Sequence, residues 1–161
     1  MNILLLKQLA IISAFAGAIL GALTVIPYIS FVTFMCLILF LGALVLAYMI
    51  KNELIGIISV REGCIFGAII GFVSFIAFSV VYTPISMIIG WIFPMYTQGF
   101  LRFFLNSFGS FIVMLLLMIL MAGISALMNG FAGLVTAWVY GLISGQKKDA
   151  GENNTIDFEI K

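Results

Sequence analysis

Histidine is absent from this chain of 161 residues. That removes the side chain most used as a general base near neutral pH, and the commonest metal ligand. Charge is scarce too. Only 8% of the residues are charged, against about 25% in an average soluble domain. A net charge of +1 gives no electrostatic case for binding nucleic acid. There are two cysteines, Cys36 and Cys64, each in or at the edge of an apolar run. They read as small apolar residues, not as a disulfide or a metal pair.

What is present is apolar: 65% of the chain is hydrophobic. Several uncharged runs reach or pass about 18 residues, too long for ordinary core helices and long enough to cross a bilayer. The chain reads as an integral membrane protein. Its apolar runs hold no acid, base or histidine, which intramembrane hydrolysis, proton relay and metal chemistry usually need. Ser13, Thr24, Thr33, Ser74, Ser79, Ser125 and Thr136 are scattered, and each can bond its own helix backbone. A nucleophile without a base is not a site. No glycine run has the P-loop pattern. No catalytic residue, cofactor site or metal site is expected. Asn129 is the most polar group deep in an apolar run, and a hydrogen bond across a helix interface is expected for it.

The chain is organised around Ser59 to Tyr82. Ser59-Val60-Arg61-Glu62 fits the capping box, in which Ser59 and Glu62 satisfy each other's backbone amides. The nineteen uncharged residues from Gly63 to Val81 span about 30 Å as a helix, the thickness of the hydrocarbon core. Gly63, Gly67 and Gly71 recur at four-residue spacing on one face, and Ser74 continues it. In lipid, apolar burial gains little, so helices associate through close backbone approach, which small residues permit. A second stripe, Ala10, Ala14, Gly17 and Gly21, is the expected mate of this groove.

Taken in order, the first helix reaches Ile26, a turn follows from Pro27 to Ser30, and Ile29 to Ile50 forms the second span with a weaker small face at Gly42, Ala43 and Ala47. A cleaved signal peptide is disfavoured, because the first apolar run is long and another span follows within a few residues. Thr83-Pro84 reads as an N-cap and first-turn proline opening a short apolar piece that ends at Pro94. Gln98, Arg102 and Asn106 then recur every fourth residue, the pattern of an amphipathic helix lying in the membrane surface. Arg102 and Trp91 are read as interfacial anchors. Phe108 to Gly145 is continuously apolar, and its small residues, including Gly123, Gly130, Gly133 and Gly141, keep phase past Asn129. That favours one long helix over two short ones hinged at Asn129-Gly130.

The expected fold is therefore an all-α membrane protein with four transmembrane helices and an interfacial amphipathic segment between the third and fourth. Residues 1–145 form the membrane domain, with spans at about 7–26, 29–50, 60–81 and 112–143, and residues 146–161 a polar, disordered tail. With both termini cytoplasmic, Lys7, Lys51, Arg61, Lys147, Lys148 and Lys161 all lie inside and only Arg102 outside, whereas five spans would split the basic residues four against three, so the positive-inside bias prefers an even number.

These features resemble small bacterial and archaeal four-span, glycine-rich integral membrane proteins of unknown function. The likeness is carried by Gly17-Ala18-Ile19-Leu20-Gly21 before Ile26-Pro27, by Cys36 and Tyr48-Met49-Ile50-Lys51, by Ser59-Val60-Arg61-Glu62-Gly63 with Gly67 and Gly71, and by Gly130 through Gly141 followed by Gln146-Lys147-Lys148. It covers most of the chain apart from the tail. It implies a four-span bundle and no activity. The chain departs from that group between Thr83 and Phe108, which is more apolar and aromatic here.

Two functions are consistent with this reading. One is a non-catalytic structural or accessory bundle, partnered by the lipid bilayer and by itself or another membrane subunit. The other is a small transporter or channel for an uncharged or lipid-like solute, with its entry beside Thr83 to Phe108.

Overall fold

A computed structural model describes residues 3–52, 54–56, 58–92 and 108–152. The described chain is helical throughout, apart from short connections. Its helices are α1 (Ile3–Leu23), α2 (Pro27–Met35), α3 (Leu41–Lys51), α4 (Val60–Ile92) and α5 (Phe108–Glu152). A single π-helical turn, Cys36–Phe40, joins α2 to α3 into one membrane crossing. Four stretches are long and apolar enough to cross a membrane: Leu5–Leu23, Tyr28–Lys51, Val60–Ile89 and Leu115–Ile143.

The helix ends follow local chemistry. α1 stops at Leu23, earlier than the expected Ile26, because a tight turn follows in which the amide of Ile26 donates to the Leu23 carbonyl at 3.0 Å. Ile26 is extended, as the residue before a proline prefers to be, and Pro27 opens α2 at a first-turn position. Pro27 is thus inside the second crossing rather than in a turn before it. Lys51 closes α3, where a positive charge suits the dipole, and Asn52 Nδ2 donates to the Tyr48 carbonyl at 2.8 Å. At the start of α4 the capping box forms. The Ser59 amide donates to Glu62 Oε2 at 2.9 Å, and the Glu62 amide to Ser59 Oγ at 3.3 Å.

Two further expected boundaries are corrected. α4 does not end near Val81; it runs through Pro84 to Ile92. Thr83-Pro84 starts no new helix, because a membrane helix tolerates the loss of one rung where it is otherwise continuous. α5 is one helix of 45 residues, about 67 Å long, as the unbroken stripe implied. It also carries residues 146–152, which were expected to be disordered, so the polar tail begins as a continuation of the helix. The amphipathic segment expected around Gln98, Arg102 and Asn106 lies outside the described residues, as do residues 153–161.

α4 is the hub. It packs antiparallel to α5, with Gly63 against Gly133 and Ala137, Gly67 against Asn129 and Gly130, and Gly71 against Ser125. It packs parallel to α1, with Gly17 against Ser74 and Gly21 against Phe78. The α2–α3 crossing meets α5 through Gly42 and Leu46, and the turn that ends α1 through a hydroxyl pair at Thr24 and Thr33. Buried side chains such as Leu9, Leu46 and Ile70 fill the centre, while Phe31, Leu127 and Phe131 are more than two-thirds exposed. Large apolar groups on the outside are what a lipid-facing surface requires.

Candidate functional site at a buried asparagine

The expected pairing of the two small-residue stripes is not the one the structure has. Gly63, Gly67 and Gly71 do not meet Ala10, Ala14, Gly17 and Gly21. They meet the small face of α5. A Cβ added at Gly67 would lie 3.0 Å from the Asn129 carbonyl carbon and 3.1 Å from the Gly130 Cα, so these backbones are close to touching. Gly133 returns the contact, since a Cβ there would lie 2.9 Å from the Gly67 Cα. The α1 stripe instead presses Gly17 and Gly21 on the backbone of Ser74 and Phe78, further along α4. Ala10 and Ala14 are half-buried on α1. The face that reads as one groove from Gly63 to Ser74 is therefore shared: its glycines belong to α5 and its serine to α1. The periodicity fixes which residues are aligned but carries no label for the helix that covers them.

The other expected packing residues on α5 divide in two. Gly130 and Gly133 are buried against α4. Gly123 and Gly141 have nothing within 4 Å of an added Cβ and face open space. Trp91 falls in the last turn of α4, and Arg102 lies outside the described residues.

Where α3, α4 and α5 meet sits Asn129, fully buried. Its side chain is inserted into the backbone ladder of the second crossing. In the π turn the Leu41 amide reaches back five residues to the Cys36 carbonyl. The Gly42 amide donates instead to Asn129 Oδ1. Asn129 Nδ2 donates to the Leu37 and Ile38 carbonyls, both at 3.0 Å, and to Ser125 O at 2.9 Å and Ser125 Oγ at 3.2 Å. The orientation of the carboxamide follows from its partners: an amide can only donate and carbonyls can only accept. One side chain thus satisfies three backbone groups that the widened turn exposes. Away from water, each would otherwise cost the desolvation of an unpaired group. Gly42 is needed here because a Cβ would meet the Asn129 backbone carbonyl at 2.7 Å.

The other hydroxyls, buried or half-buried, are engaged mostly within their own helices. Ser13 donates to the Leu9 carbonyl at 2.6 Å, Thr24 to that of Leu20 at 2.7 Å, and Thr136 to that of Ala132 at 2.8 Å. Ser74 and Ser125 both donate to the Gly71 carbonyl, at 3.2 and 3.1 Å, and the second of these bonds ties α5 to α4. Among the described residues, no buried side-chain nitrogen or oxygen lacks a partner. No group of three or more metal-ligating side chains is found among them either. The arrangement can hold helices together and fix their rotation. The interhelical bond anticipated at Asn129 is present; the π turn that receives it was not anticipated. The available signal was Asn129 itself, since a carboxamide buried in an apolar run demands free backbone groups from a neighbour.

Compared with family models, with curated proteins and with solved structures, the chain matches none.

Proposed function

We propose that the protein is a non-catalytic structural or accessory membrane bundle, working as a scaffold for itself or for another membrane subunit. The observation that carries this reading is the pairing of the buried polar groups with one another. Every buried polar side chain among the described residues is satisfied within the protein. The helices meet at glycines whose neighbours are backbone atoms. Polar groups turned on one another are available for holding helices, not for receiving a solute or a reactant. The bilayer and a second membrane protein are the partners that suit its lipid-facing surface, and nucleic acid is not among them. The chain resides in a prokaryotic cell membrane with both termini cytoplasmic, a reading supported by the basic residues Lys7, Lys51 and Arg61, which the four-crossing order puts at one end of the bundle.

Purified protein in proteoliposomes should pass no solute above the leak of empty vesicles. Saturable uptake of any uncharged or lipid-like solute would replace the scaffold with the transporter reading. Orientation is tested separately, with Cys36 and Cys64 replaced. Single cysteines placed at Tyr28 and Gly56 should be labelled and protected, respectively, by an impermeant reagent on intact cells. The reverse pattern would invert the protein.

A further inference from the structure

We propose that the second crossing has two registers, and that Asn129 latches the bulged one. A π turn is an α-helix with one residue too many. Here that residue is accommodated at Cys36–Phe40, and the helix on either side is held very differently. In α3, Leu41, Gly42, Val45, Leu46 and Met49 are buried. In α2, Tyr28 is 94% exposed, Phe31 71% and Val32 64%. The outer half is tied down by the Thr24–Thr33 hydroxyl contact at 2.7 Å and by a tilted ring contact between Phe34 and Phe78 with centroids 6.3 Å apart. The inner half is anchored by burial, whereas the outer half rests on these two contacts.

If the π turn closes, the backbone regains its ordinary rungs and no longer needs Asn129. α2 must then absorb the extra residue. It turns by about 100° around its axis and advances about 1.5 Å, one residue of α-helix. Phe34 moves to the place Thr33 held beside Thr24. Because α2 is mostly lipid-facing before and after, the rotation exchanges one apolar surface for another and forfeits little burial. What opposes it is the carboxamide of Asn129, which engages the Gly42 amide and the Leu37 and Ile38 carbonyls only while the turn is open. This goes beyond the scaffold role and does not depend on it. It is a rotary switch in one helix, set by a side chain 92 residues away from the carbonyl it grips.

The test is a double-mutant cycle with a register reporter. Asn129→Leu removes the latch. Deletion of Phe40, which is 59% exposed, removes the extra residue while keeping both faces of the crossing in place. Each change alone should lower the melting temperature in mild detergent: the first gives up the bonds of Asn129 to Gly42, Leu37 and Ile38 and frees the helix to change register, the second strands the carboxamide. Together they should lose less than the sum of the two, because a regular helix needs no latch. If Asn129→Leu alone does not fold, recovery of folded protein in the double variant is the expected result. Additive losses, or a double variant that also fails to fold, would overturn the proposal. The reporter uses cysteine pairs at 24 with 33 and at 24 with 34, with Cys36 and Cys64 replaced by alanine. Oxidation in membranes should favour the 24–33 pair when Asn129 is present and move severalfold toward 24–34 in Asn129→Leu. An unchanged 24–33 yield would show that the helix does not rotate.

Discussion

α4 is gripped on two sides, and the two grips are built differently. Against α5 it presents glycines at three successive turns, and α5 answers with its own small residues, with the backbone of Asn129 close against Gly67, and with a hydrogen bond from Ser125 to the Gly71 carbonyl. Against α1 it presents Ser74 and Phe78, and the glycines are on the other helix. No hydrogen bond between α1 and α4 matches the Ser125–Gly71 bond among those described; the polar tie of α1 runs to α2 instead, through Thr24 and Thr33. Close approach is thus achieved either by removing side chains from both partners or from one, and among the described bonds the one that ties α4 to a neighbouring helix lies at the first kind.

This difference predicts an order of damage. Gly67→Leu should be the most harmful, because its Cβ would meet the Asn129 backbone and α5 would have to move. Over-packing costs about 1–3 kcal/mol in soluble cores. Here the displacement would also disturb the Asn129 latch, and lipid offers little compensation. The variant should insert normally and melt well below the parent in mild detergent. Gly17→Leu meets the backbone of Ser74, with a Cβ only 2.7 Å from its carbonyl carbon, so it should also melt early. Its loss should be the smaller of the two, since moving α1 forfeits one hydroxyl pair, worth about 1 kcal/mol. If Gly17→Leu proved the worse, the distinction between the grips would fail.

Ser125→Ala should come next, at about 0.5–1.5 kcal/mol. It removes the bond to Gly71, whose carbonyl still accepts from Ser74, and one of the acceptors of Asn129. A calorimetric or fluorescence melt would read it. Gly141→Leu should have the smallest effect, within about 0.5 kcal/mol in the monomer, because nothing lies near it. Phe72→Leu, off the glycine face, should behave alike. If Gly141→Leu leaves the melt intact but abolishes a larger species on size exclusion, the outward stripe of α5 is where a second copy packs.

Much of this was readable beforehand from particular residues. Ser59 and Glu62 announce the start of α4 because a capping box is local. The unbroken small stripe past Asn129 announces one α5 because a turn would shift its phase. Thr83-Pro84 misled because proline is a strong boundary signal in water, whereas in α4 the helix continues through it. Ser74 misled for another reason: it shares the face of the glycines yet touches a different helix.

The amino-acid sequence by itself determined that the chain is apolar helix, that four stretches can cross a membrane, where α4 is capped, and which faces are small. All of these depend on residues within a few positions of one another. The tertiary structure alone decided which stripe meets which, and that Cys36–Phe40 winds as a π turn. A groove of glycines admits any helix that can approach closely, so its partner is chosen by the packing of all four crossings at once. A widened turn, likewise, is stable only where another helix delivers a side chain that can both donate and accept, and Asn129 reaches it from the far end of the sequence.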